Sequence, residues 1–210
     1  MTVDQNLIVI IDGDDFLRAR LRVLLEGAGC QVELFESAEA YLKRSRFHSP
    51  NCIVLDVRLP GLSGLDLQSR QASRRKTPFV FLTAQNDART AVLAMKAGAV
   101  DYLSKPLREE ELLEAVKTAI EYDRAQRLQE QTLDELRTRL ASLSPRERET
   151  MVMLSAGHAP KQIAGRLGVC THTARVHSSR ILSKLGARSI ADLVRIADKL
   201  GNVPSEGASL

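Results

Sequence analysis

The sequence predicts an α/β unit, a doubly wound five-stranded parallel sheet, joined by a long helix to a second, all-α unit. Three observations carry this. Short β-branched runs alternate with amphipathic stretches over the first 120 residues, the rhythm of a parallel sheet covered on both faces. Neither Gly nor Pro interrupts the chain between Leu107 and Ser144. Residues 144–200 carry helix start and stop signals throughout.

The elements follow in order. LIVII (7–11), QVELF (31–35), NCIVLD (51–56), PFVFLT (78–83) and VDYL (100–103) are the strand candidates. Between them lie helical patterns at 15–27, 37–46, 64–73 and 87–97, and another begins near Arg108. Gly27, Gly29 and Gly98 fall where helices should stop. The breaker-free stretch opens with an apolar face of Leu112, Leu113, Val116 and Ile120. Beyond Tyr122 it turns polar, with Asp123/Arg127 and Glu135/Arg139 at i,i+4 spacing. Leu128, Leu136 and Leu140 are too sparse for a heptad seam, so a solvated linker helix is expected. Ser144-Pro145-Arg146-Glu147 is a capping box with Pro at the first helical position. Helices are then expected at 160–167, 171–185 and 189–199, with Gly168 and Gly186 as stops. The expected boundaries are 5–122, a linker at 123–142, a helical domain at 143–200 and a disordered tail at 201–210.

Composition narrows the function classes. The chain has no Trp and only 4% aromatic residues, which argues against stacking surfaces for single-stranded nucleic acid. No apolar run reaches membrane-span length and MTVDQN is no signal peptide, so a cytoplasmic protein without a membrane partner is expected. Cys30, Cys52 and Cys170 are odd in number and far apart, reading as reduced thiols. His48, His158, His172 and His177 show no metal-site spacing with them, which excludes zinc. Charge is uneven: residues 141–200 hold ten Lys/Arg against four Asp/Glu, the rest 20 against 22. A basic back domain facing a polyanion fits that asymmetry, and so does a solvated basic face.

In a doubly wound sheet, ligands bind beyond the carboxyl ends of the strands, where strand order reverses. Asp12 ends the first strand and Asp56 the third, Thr83 ends the fourth, and Lys105-Pro106 follows the fifth. Two acids, a hydroxyl and an ammonium at one sheet edge suit a hard cation together with an anion.

The set Asp12, LDVRLPGLSG (55–64), LTA (82–84) and DYLSKP (101–106) resembles the receiver domain of two-component response regulators, a flavodoxin-like fold, over about residues 5–122. The resemblance implies that Asp56 accepts a phosphoryl group from the phosphohistidine of a sensor histidine kinase with Mg²⁺. It implies a metal held by Asp12, Asp56 and the backbone carbonyl of Arg58. Thr83, Ala84 and Lys105 would hold the phosphoryl oxygens, and Tyr102 would report the modification. The Lys105-Pro106 bond resembles a cis peptide of that family. Arg58 and Gln85 would flank the entrance for water.

One position departs. Counting back from Arg18 and Leu21, the second acid of the family's pair falls on Gly13. Gly13 relaxes a strand-to-helix turn and Asp14 caps the next helix, or Asp14 swings inward to substitute. Either way Mg²⁺ binding is expected to weaken. One rival is therefore a degenerate receiver that binds DNA without phosphate. A rival of another class, an aspartate-nucleophile phosphatase, needs a second acid two residues past Asp56, where Arg58 stands. The reading is thus a regulator, not an enzyme.

Segment 143–189, with LSPRERE, KQIA, RVH and KLG, resembles the LuxR-type helix-turn-helix of FixJ/NarL response regulators. On a helical wheel, Ala174, His177, Ser178, Ile181 and Leu185 face inward. His172, Arg175, Val176, Ser179 and Ser183 face outward toward base edges, with Thr173, Arg180 and Lys184 as a phosphate flank. Lys161 and Gln162 open the preceding helix toward the DNA backbone. His177 is expected packed and hydrogen-bonded. Ala159 and Cys170 stand where capping serines are usual, unless Thr171 caps by starting its helix one residue later. The implied partners are double-stranded DNA, a second copy on phosphorylation through the surface of helix 87–97 and strand 100–103, and, further out, RNA polymerase.

Overall fold

The computed structural model describes residues 6–44, 49–72, 77–84 and 88–201. The apolar runs become β1 (Leu7–Ile11), β2 (Gln31–Phe35), β3 (Cys52–Asp56), β4 (Phe79–Thr83) and β5 (Asp101–Ser104). They pair in parallel in the order β2-β1-β3-β4-β5, so strand order reverses between β1 and β3, as expected. Helices α1 (Asp15–Gly27), α2 (Ala38–Leu42), α3 (Gly64–Ala72), α4 (Ala88–Lys96) and α5 (Glu109–Ala141) connect and cover the sheet. The expected helix ends at 45–46, 73 and 87 lie outside the described residues.

Every residue of β1 is buried, because successive side chains of a strand alternate faces and both faces are covered. Ile8 and Ile10 join a layer with Leu21 and Leu25 of α1 and Leu112 and Val116 of α5. Val9 and Ile11 join the opposite layer with Tyr41, Leu67 and Ala94. Each such isoleucine contributes about 1.5–3 kcal/mol by leaving water. A one-residue slip would exchange the two sets, so register is tightly specified.

α5 runs 33 residues, about 50 Å at 1.5 Å per residue. The chain divides into two units inside this helix, after Arg127. In the first unit, α5 packs past the expected limit at 122. Asp123 is only 1% exposed, and its Oδ2 accepts from Asn51 Nδ2 at 2.7 Å and from Arg127 Nε. Arg127 Nη2 also donates to the Ser49 carbonyl at 3.0 Å. A pair that reads as a solvated i,i+4 bridge is therefore a buried tie to the amino end of β3.

The second unit contains α6 (Pro145–Ser155), α7 (Pro160–Leu167), α8 (Thr171–Leu185) and α9 (Ile190–Lys199). They close on Leu143, Met151, Leu154, Ile163, Ala174, Ile181, Leu185 and Leu193. The last turns of α5 belong here too: Leu136 is buried and Leu140 packs on this core. The stretch 128–135 of α5 is mostly exposed. No described helix is long and apolar enough to cross a membrane. Of the expected disordered tail, residues 202–210 lie outside the described residues.

Candidate functional site: an acidic strand edge and a basic helix

Three of the predicted side chains meet at the carboxyl edge of the sheet. Lys105 Nζ donates to Asp12 Oδ2 at 2.7 Å and to Asp56 Oδ2 at 2.5 Å. Asp12 is 2% exposed and the Asp56 side chain 14%. Burial alone would pull the Lys105 ammonium down, but its hydrogen bonds and charge pairing with Asp12 and Asp56 outweigh that and raise its pKa. The Lys105-Pro106 peptide is cis, and the Lys105 amide donates to the Thr83 carbonyl at 2.6 Å. Two carboxylates and one ammonium leave the cluster one negative charge in excess.

The remaining oxygens of the two acids are held locally. Asp12 Oδ1 accepts from the Asp14 amide at 2.9 Å, and Asp56 Oδ1 from the Arg58 amide at 2.7 Å. Gly64 passes close under Asp56: a Cβ there would lie 2.9 Å from the Asp56 carbonyl oxygen and 3.1 Å from Phe81. Thr83 is buried at the end of β4, and Ala84 beyond it is exposed. Tyr102 is half-buried, its ring 6.5 Å from that of Phe81, and its buried hydroxyl has no hydrogen-bond partner among the described residues. Gln85 lies outside the described residues.

Gly13 and Asp14 behave as the turn reading expects. Asp14 Oδ1 accepts from the amides of Phe16 and Leu17 at 2.9 and 3.1 Å, capping α1. An inward-swung Asp14 is thus not the arrangement found, because two orphan helix amides claim its carboxylate. A Cβ on Gly13 would meet nothing within 4 Å, so the place of the missing acid is sterically open. Among the described residues no three His, Cys, Asp or Glu side chains converge. The donors that remain, Asp12, Asp56 and backbone oxygen, are hard oxygens of the kind Mg²⁺ takes.

Arg18, a register mark in the sequence, lies at the site. Its guanidinium, 11% exposed, donates to the Asp12 carbonyl and to Asp15 Oδ1. An arginine one turn into a helix that follows an acidic strand end was the available signal.

The basic unit matches its wheel. Ala174, Ile181 and Leu185 are buried, and His172, Arg175, Ser179, Arg180 and Ser183 are exposed, with Val176 and Thr173 intermediate. Lys161 and Gln162 are exposed at the start of α7, where Gln162 Oε1 accepts from the Ala159 amide at 2.9 Å. Neither Ala159 nor Cys170 makes a side-chain cap. The Cys170 thiol lies 3.1 Å from the Thr173 hydroxyl, and hydrogen bonds from Thr173 hold it below its ordinary range.

Two expectations are corrected. α8 begins at Thr171 itself, so Thr171 does not serve as its cap. His177 is half-buried, but its Nδ1 has no hydrogen-bond partner. Lys184, on the flank of α8, is also engaged within its own unit: Nζ donates to Glu147 Oε2 at 2.7 Å and to the Ser142 carbonyl at 3.2 Å. A buried carboxylate requires a partner, and Glu147 is 4% exposed. Lys184 together with the Ser144 amide pushes the Glu147 carboxyl down to about 2.

Comparison with known proteins agrees with both halves. Residues 8–117 match the family described as response regulator receiver domain, and residues 141–197 match bacterial regulatory proteins of the luxR family. Nodulation protein W of Bradyrhizobium diazoefficiens is 40% identical over 196 residues, 93% of this chain and 86% of that protein. The transcriptional regulatory protein FixJ of the same organism is 38% identical over 195 residues, 92% of this chain and 95% of that protein. Among solved structures, the response regulator StyR aligns with TM-score 0.81 and 38% identity, covering 93% of this chain and 99% of that one. Full-length FixJ from B. japonicum aligns with TM-score 0.57 and 37% identity, covering 95% and 98%.

Proposed function

Because the chain belongs to the response-regulator family that joins a receiver domain to a LuxR-type DNA-binding domain, it is a phosphorylation-dependent DNA-binding regulator, and we propose that Asp56 is its phosphoacceptor. The observation that carries this is Lys105 bridging Asp12 and Asp56 at one sheet edge. An Asp56 carboxylate oxygen attacks the phosphorus of a phosphohistidine on a sensor kinase. The P–N bond breaks, the imidazole leaves with its electron pair, and an acyl phosphate forms. Lys105 then shifts from the carboxylates to a phosphoryl oxygen, with Thr83 and the Ala84 amide beside it. Asp12, Asp56 and the Arg58 carbonyl would hold Mg²⁺, which supplies charge neutralisation during transfer. Gly13 leaves that set one carboxylate short, so a higher Mg²⁺ requirement is expected.

The modified site biases Tyr102, whose buried hydroxyl has no partner in the present arrangement. α4 exposes Val92, Leu93 and Met95, each about half accessible, and this face pairs with a second copy. Dimerisation sets two α8 helices on adjacent half-sites, Arg175, Val176, His172 and Ser179 toward bases and Arg180, Thr173, Lys161 and Gln162 toward phosphates. RNA polymerase is the downstream partner in this reading.

Intact mass after incubation with acetyl phosphate across a Mg²⁺ series, beside Asp56→Asn, tests the proposal. A gain of one phosphate that requires Mg²⁺ and vanishes in Asp56→Asn supports it. No gain at any Mg²⁺, nor with a cognate kinase, favours the rival that Gly13 motivates, a receiver that binds DNA without phosphate. For the basic unit, Lys161→Ala should reduce the salt slope of binding to a random-sequence duplex by about 1.

A further inference from the structure

We propose that Glu39 of α2 is a positioning residue for the phosphoacceptor loop, pinning the segment that carries the third protein oxygen of the metal set. The inference rests on the reading of Asp56 above. Between Asp56 and α3 the chain makes a loop over residues 57–63. Its base is closed by the Gly64 amide, which donates to the Val57 carbonyl at 3.3 Å, and by the Val57 amide on the Leu82 carbonyl at 2.9 Å. Its far side is held from a different element: the Leu62 amide donates to Glu39 Oε1 at 2.8 Å.

Two features make this contact selective. Gly61 has φ +79, a conformation L side chains rarely adopt, and a Cβ there would lie 2.5 Å from Glu39 Oε1. A side chain at position 61 would thus displace the Glu39 carboxylate from the loop. Glu39 is also fixed at its own end, because Ser37, two residues before it, caps α2 with its Oγ accepting from the Ala40 amide at 3.1 Å. Helix, carboxylate and loop form one chain of contacts ending beside Asp56.

The loop matters more here than in a site with two leading acids. Gly13 removes a carboxylate, and Asp14 is committed to capping α1. What remains beside Asp12 and Asp56 is backbone oxygen from residue 58, and its placement depends on the loop. Mg²⁺ tolerates displaced ligands badly, and groups that orient its ligands typically account for 10–100-fold in affinity.

The test uses the full chain with Glu39→Ala and Glu39→Gln. Mg²⁺ alone is titrated by calorimetry, and amide exchange is followed over residues 57–64. Glu39→Ala should weaken Mg²⁺ about tenfold and speed exchange in the loop, with the melting temperature preserved. Glu39→Gln keeps a carbonyl acceptor for the Leu62 amide and should stay within about twofold of the native chain. Unchanged Mg²⁺ affinity in Glu39→Ala overturns the proposal. Equal losses in the two variants also overturn it, since charge rather than position would then be at work. Undetectable Mg²⁺ binding by the native chain overturns it as well, while the role of Asp56 is decided separately by intact mass. Phosphate gain without these Glu39 effects would leave Asp56 standing and remove Glu39.

Discussion

Among the described residues, two lysines each hold largely buried carboxylates, and the two pairings are built to opposite ends. At the sheet edge, Lys105 is shared between Asp12 and Asp56, so one cation faces two acids. In the helical unit, Lys184 faces Glu147 alone, and the same carboxylate closes a complete capping box with Ser144. The first cluster keeps an excess negative charge next to solvent and can accept a cation or exchange partners. The second has its charge matched and its acceptor shared with a backbone amide. Unbalanced pairing marks chemistry, and balanced pairing marks architecture.

The sharpest way to break this comparison is to remove each ammonium. Lys184→Met should destabilise the helical unit by about 1–3 kcal/mol, seen as a shifted urea midpoint, because Glu147 stays buried without its partner. Lys105→Met should also lower receiver stability, but there added Mg²⁺ should restore it, since two acids can take a divalent ion in place of the ammonium. Mg²⁺ rescue of Lys184→Met, or its failure for Lys105→Met, would erase the distinction.

A pH series sharpens it further. Glu147 is held at about 2, below the ordinary glutamate value near 4.3. Its contribution is therefore complete above the ordinary value and is lost as pH falls toward 2. Native chain and Glu147→Gln should differ in urea stability at pH 7, and the gap should close steadily below about pH 4. A gap that stays constant to pH 3 would mean that packing, not charge, holds this corner. The smallest effect concerns caps. Ala159→Ser should stabilise by about 1 kcal/mol, since α7 begins without a side-chain cap. Asp14→Ser should change little, as serine can cap α1 in its place. A large loss of Mg²⁺ affinity in Asp14→Ser would mean that Asp14 does leave its cap to bind metal.

Much of the fold was legible because the inner strands β1, β3 and β4 are buried on both faces and read as apolar runs, LIVII above all. The length of α5 followed from the want of Gly and Pro between Leu107 and Ser144. What escaped were partners distant in sequence. Asp123 and Arg127 read as a surface pair, because nothing local announces Asn51 and Ser49 on the other side. The pairing of Lys184 with Glu147 was equally hidden, because Glu147 lies on another helix. The acidic edge was easier: strand ends in a doubly wound sheet converge by topology, so Asp12, Asp56 and Lys105 needed only the strand order. Arg18 and Glu39 reach that edge from helices, and no rule of strand ends points to them.

The open space around Gly13 has a genetic consequence. A GGT or GGC glycine codon becomes an aspartate codon by one change at its second base, and a Cβ at position 13 would meet nothing within 4 Å among the described residues. Gly13 also lacks the positive φ that would bar an L residue. Backbone conformation and the space for a first side-chain carbon therefore both admit an aspartate at position 13. From such a codon Gly13→Asp is a single step, which would make the proposed weakness toward Mg²⁺ an adjustable trait rather than a fixed loss.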